Sequence, residues 1–123
     1  MQAVLRTILY GLLLPAASGF AQNADLSGRW QVHNEISGTR TDQSCMFQVA
    51  GSALSGDCTS ENSVVHLSGT INGREVSWTY ETRRNLIKLS VLHKGNAESG
   101  KISGIAVVSP FGAKGTFTAT RQK

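Results

Sequence analysis

The sequence predicts an all-β protein, a single eight-stranded antiparallel up-and-down barrel behind a short N-terminal leader. Three observations predict it. Apolar and polar residues alternate with period two after residue 21, and no segment there carries an apolar period of 3.6. Gly, Asn and Ser cut these stretches at short, regular intervals, as antiparallel neighbours require. Leu-Ser-Gly recurs at Leu26, Leu54 and Leu67, and Ile-Ser-Gly at Ile36 and Ile102, so small residues fall on the apolar face where a strand must coil to close a barrel. The whole chain has 123 residues, room for one small domain.

The leader comes first. Arg6 precedes the apolar run Ile8-Leu9-Tyr10-Gly11-Leu12-Leu13-Leu14, Pro15 ends it, and Ala16-Ala17-Ser18-Gly19-Phe20-Ala21 is rich in small residues. This is the three-part pattern of a secretory signal peptide, with cleavage expected after Ala21. The run is too short for a hydrocarbon core about 30 Å thick, so no stable membrane insertion is expected after processing. The expected organisation is a signal peptide over 1–21 and a barrel domain over 22–123, located in the periplasm or secreted. Loss of Arg6 lowers the formal charge from +4 to +3. The remaining basic residues are scattered, with no run longer than Arg83-Arg84, which excludes a nucleic-acid partner.

The strands are expected over 28–34, 43–49, 54–58, 64–71, 74–81, 86–92, 101–108 and 115–121. Asn72-Gly73 is a strong hairpin signal, because both residues tolerate positive φ. Centred there, the hairpin sets Ile71 opposite Arg74, Gly69 opposite Val76, Leu67 opposite Trp78 and Val65 opposite Tyr80. One face is then apolar, and the other carries His66, Ser68 and Thr70 against Glu75, Ser77 and Thr79. A tight turn at Arg83-Arg84 sets Tyr80 opposite Ile87 and Trp78 opposite Leu89. The loop 50–53 sets Val49 opposite Leu54, Phe47 opposite Gly56 and Cys45 opposite Cys58. Directly opposed residues lie within disulfide range, and an even cysteine count in an exported chain reads as one bond, Cys45–Cys58. A cysteine metal site needs more thiols or nearby histidines than this chain supplies.

Gly28-Arg29-Trp30 on the first strand is similar to the G-x-W signature of the calycin group, which includes lipocalins, avidins and small bacterial metalloprotease inhibitors. The resemblance implies that Trp30 plugs the closed end of the barrel under a basic residue of the last strand, here Arg121. Leu26-Ser27-Gly28-Arg29-Trp30 followed by two cysteines resembles the start of the metalloprotease inhibitors, whose N-terminal trunk enters the protease cleft. Val76-Ser77-Trp78-Thr79-Tyr80 is similar to an avidin strand bearing a ligand-facing Trp, although avidins carry further Trp residues and this chain has only Trp30 and Trp78. The pattern L-S-G-T-x-N-G-x-x-V over 67–76 is most similar to small exported bacterial barrels.

An up-and-down order puts the loops after strands one, three, five and seven at the open end, with Arg40, Asp42, Glu61, Arg83, Arg84, Pro110-Phe111 and Lys114. The expectation is a non-catalytic binding protein. A small amphipathic or anionic ligand would rest on Trp78 and Tyr80, with Arg40, Arg83 and Arg84 holding its charge. The alternative is a protein partner, the chain acting as an inhibitor of a periplasmic or secreted hydrolase. The competing view of Trp78, Tyr80 and Phe47 is plain core. His33, His66 and His93 are far apart in sequence, the first two facing outward, and no Ser or Cys sits in a nucleophile context. No enzyme activity, cofactor or metal is therefore expected.

Overall fold

The computed structural model describes residues 22–61 and 63–123; the expected leader lies outside the described residues. Eight strands follow in chain order: β1 Gly28–Ile36, β2 Thr39–Ala50, β3 Ala53–Ser60, β4 Ser63–Asn72, β5 Glu75–Arg84, β6 Ile87–Glu98, β7 Lys101–Ser109 and β8 Ala113–Arg121. Each pairs antiparallel with the next, and β8 returns to β1, so the sheet closes. Closure removes the free edges that an open sheet would expose.

Inside, side chains of alternate residues fill the barrel in layers. Leu26, Leu54, Ile71, Val76, Ile102 and Ala119 pack near the closed end with Trp30. Above them runs an aromatic column: Trp30 to Phe47 at 5.9 Å between centroids, Phe47 to Trp78 at 5.2 Å, and Trp78 edge-on to Phe117 at 5.3 Å. Each apolar ring removed from water contributes roughly 2–3 kcal/mol before conformational entropy is counted.

The cysteine hairpin has the expected register, with Phe47 opposite Gly56 and Cys45 opposite Cys58. The two cysteines are disulfide-bonded, with Cα atoms 4.0 Å apart. Two other hairpins are displaced. Around Asn72-Gly73 the pairs are Asn72–Glu75, Ile71–Val76, Gly69–Trp78 and Leu67–Tyr80, two residues from the expected register. The two-residue turn is Gly73-Arg74, and only its first member has positive φ, 64°, the pattern of a type II′ turn. Packing favours this register. A Cβ on Gly69 would lie 1.9 Å from the Ser77 carbonyl oxygen and 2.7 Å from the Trp78 Cα, so the strands come close only because residue 69 has no side chain.

The second displacement is at the β5–β6 turn. It falls on Asn85-Leu86, both with positive φ (51° and 72°), a type I′ turn, and not on Arg83-Arg84. Tyr80 therefore faces Val91 and Trp78 faces His93. β6 also runs on to Glu98, well past the expected end. Both displacements are even numbers of residues, so the inward and outward faces survive while the partners change.

At the closed end, Trp30 is buried and its indole N–H donates to the Leu26 carbonyl at 2.9 Å. The Arg121 guanidinium lies over that ring at 4.7 Å from its centroid. It also donates to the carbonyl oxygens of Ser27 (2.7 Å) and Asp25 (2.6 Å), tying the incoming N-terminal segment to β8. That segment crosses the closed mouth: the Ala24 N–H bonds the Gly73 carbonyl, and the Asn23 side chain accepts from the Gly73 N–H at 2.8 Å. The Ser27 N–H donates to the Asp25 carboxylate and, with Arg121 nearby, holds its pKa below the ordinary value.

Candidate functional site

The open end is a cavity of about 600 Å³. Its walls come from three hairpins: Ile36, Thr39 and Thr41 from β1–β2, Thr82, Ile87, Leu89 and Val91 from β5–β6, and Val108, Phe111 and Ala113 from β7–β8. The β3–β4 hairpin ends lower between its neighbours and, among the described residues, contributes Ser63. β2 pairs with β3 no further than Ser44–Thr59, and β4 pairs with β5 no further than Leu67–Tyr80. One side of the mouth is thus low, flanked by the upper parts of β2 and β5.

The residues expected to bind a ligand divide. Arg83 and Arg84 line the cavity at its rim. Arg40 is exposed on β2 between Thr39 and Thr41, opposite Glu35, outside the cavity lining. Trp78 lies deeper, sealed in the aromatic column, and the floor nearest the mouth is Val91 and Leu89. Tyr80 is half-buried on the same rung as Val91, beside the split between β4 and β5, where it borders a shallow outer depression with Val64, His66 and Glu81. Cys45 and Cys58 are bonded as expected, and both are buried.

Sequence reasoning missed His93. It is fully buried (0% exposed), stacked on Trp78 at 4.9 Å and 9° between planes, edge-on to Phe117 at 4.8 Å and 5.8 Å from Tyr80. It begins a polar chain. His93 Nε2 meets Asn34 Oδ1 at 2.7 Å, Asn34 Nδ2 donates to Gln43 Oε1 at 3.2 Å, and Gln43 Nε2 donates to the Tyr80 hydroxyl at 3.3 Å. Asn34 Nδ2 also reaches Thr41 Oγ1 at 3.4 Å, linking the chain to the cavity wall. Since the Asn34 amide nitrogen is the donor on one side, its oxygen accepts on the other, and this assigns the proton to His93 Nε2. Nδ1 is then a bare acceptor, buried without a hydrogen-bond partner among the described residues. Burial lowers the His93 pKa from 6.5 to about 4, so the ring is neutral at neutral pH. Burial also raises the Tyr80 pKa, partly opposed by its bond from Gln43. The signal was present in the sequence: His93 shares the parity of Leu89 and Val91.

His33 and His66 lie on the outer wall, each beside a cross-strand Asp: Asp42 at 2.6 Å and Asp57 at 2.5 Å. Among the described residues, no three His, Cys, Asp or Glu side chains converge as a metal site. An apolar cavity with cations on its rim can hold a molecule that has a greasy body and an anionic end. Neither a protein-family model nor a curated protein matches this chain. The closed barrel and the Trp30–Arg121 stack are consistent with a calycin-like fold.

Proposed function

We propose that the chain is an exported, calycin-like, non-catalytic binding protein that takes a small amphipathic anion into the open end of the barrel. One observation carries the reading: the open mouth holds about 600 Å³ between walls of aliphatic and threonine side chains, with Arg83 and Arg84 on its rim. Ligand cavities commonly have this size and this mixture of apolar wall and few polar groups. The leader pattern and the Cys45–Cys58 bond support export, since disulfides persist in oxidising compartments. Gly28-Arg29-Trp30 with Arg121 over the indole supports the calycin likeness.

The expected ligand lies with its apolar part against Ile36, Leu89, Val91 and Val108 and its anion toward Arg83 and Arg84. Two measurements test this. Native mass spectrometry of the purified protein should show a co-purifying small molecule. Titration with anilinonaphthalene sulfonate should saturate at one probe per chain. Arg83→Gln/Arg84→Gln should weaken the probe about tenfold, the scale of a lost charge-assisted contact. Leu89→Trp should narrow the cavity beside Val91 and weaken the probe. No co-purifying molecule together with no saturable probe binding would overturn the proposal.

A further inference from the structure

We propose that the β5–β8 side of the open rim docks on an anionic lipid bilayer. Leu86 projects from the β5–β6 tip, 93% exposed, and Ile87 (46%) and Phe111 (67%) flank it at the cavity mouth with part of each side chain in solvent. β6 and β7 pair up to Ser90–Ser109, so the β5–β6 and β7–β8 tips stand side by side just beyond that rung. Leu86 is the informative residue. It occupies the second central position of a type I′ turn at φ 72°, a conformation that Gly and Asn adopt readily and Leu does not. A leucine placed there, nearly all of it in solvent, gains no burial within the barrel. Its apolar surface is free to meet something outside the molecule.

Charge identifies the occupant. Arg83, Arg84 and Lys114 surround these tips, all exposed, and among the described residues none has a carboxylate within ion-pair distance. Lys88 is the neighbouring cation that is paired, with Glu81 at 3.3 Å. The β1–β4 side of the barrel's upper half has the opposite balance, with Glu35, Asp42 and Glu61 against Arg40. The cationic surface and the apolar tips therefore coincide on one side. Isolated apolar points ringed by cations suit an interface of anionic headgroups over acyl chains, which needs no matching shape. A protein partner would instead need a contiguous packed patch, and between these tips the surface falls away into the cavity. Docked this way, the cavity mouth faces the bilayer.

The docking does not require the cavity to hold anything. Cosedimentation reads the rim and probe fluorescence reads the cavity, so either proposal can fail alone. The purified protein, its N-terminus fixed by intact mass, is sedimented with vesicles of equal parts phosphatidylcholine and phosphatidylglycerol, or of phosphatidylcholine alone. Binding is expected only to the anionic vesicles and should weaken with salt. Arg83→Gln/Arg84→Gln/Lys114→Gln should weaken it about a hundredfold, at about fivefold per basic residue near the surface. Leu86→Ser/Phe111→Ser should weaken it at least tenfold, with near-ultraviolet circular dichroism of the buried aromatics unchanged, as both exposed side chains lose acyl contact. Equal binding to both vesicles, no binding to either, or variants that bind like the parent would overturn the proposal. So would capture of a protein by the rim without vesicle binding.

Discussion

Lowering the pH should destabilise this barrel through one residue, His93. The ring is fully buried against Trp78, Tyr80 and Phe117, and among the described residues its one hydrogen-bond partner is the neutral amide of Asn34. Among the described residues, no carboxylate pairs with it to stabilise an imidazolium. In the unfolded chain the imidazole titrates at its ordinary 6.5, whereas the folded ring stays neutral down to about 4. Between these values the unfolded state binds the extra proton. Stability is thus complete above 6.5 and declines as pH falls toward about 4. At about 1.4 kcal/mol per pH unit across that window, the loss on reaching pH 4 is about 3 kcal/mol. That is a large share of the roughly 5–15 kcal/mol that holds a typical domain together. The assay is urea unfolding near pH 7.5 and near pH 4, followed by the fluorescence of two buried indoles. His93→Phe keeps a ring against Trp78 and removes the titration. Its absolute stability is not the readout, because Asn34 loses a partner; its pH slope is. The difference in slope between parent and variant excludes the exposed histidines and carboxylates, which both proteins share. A parent equally stable at both pH values, or a His93→Phe variant as pH-sensitive as the parent, would refute the reasoning.

Four further outcomes are expected. Gly69→Ala should cost about 3 kcal/mol or prevent folding, because the new methyl meets backbone atoms of Ser77 and Trp78 that cannot rotate away; thermal melts decide it. Removing the disulfide as Cys45→Ala/Cys58→Ala should cost about 3 kcal/mol for a loop this short, read from denaturant midpoints without reductant. Arg121→Gln should cost about 1–3 kcal/mol through the lost indole stack and the charged bonds to Ser27 and Asp25, and hydrogen exchange should rise over the N-terminal segment. Leu86→Gly should stabilise by about 1 kcal/mol, since glycine relieves the positive-φ turn, while vesicle binding falls; a destabilised variant would contradict the turn assignment.

The sequence alone determined the strand count, their order and which residues face inward. Those follow from period two, and an even slip in register leaves a period-two face intact, so the misplaced turns at 72–75 and 84–87 did no harm to the facing. It also determined the disulfide, fixed by residue type within a short register, and the likeness of Gly28-Arg29-Trp30 to a known signature pointed to the Trp30–Arg121 stack. Only the tertiary structure decided who faces whom across β4–β5 and β5–β6. There the turn chemistry was ambiguous, and the choice fell to packing at a distance: a Trp that needed a glycine opposite it, and a hairpin that put Leu where Asn-Gly would be usual. That choice brought His93 beside Asn34, 59 residues away. It also set how far each hairpin rises at the open end, and so gave the cavity its depth and the rim its one-sided charge. Such features depend on contacts between segments remote in sequence, and local patterning does not encode them.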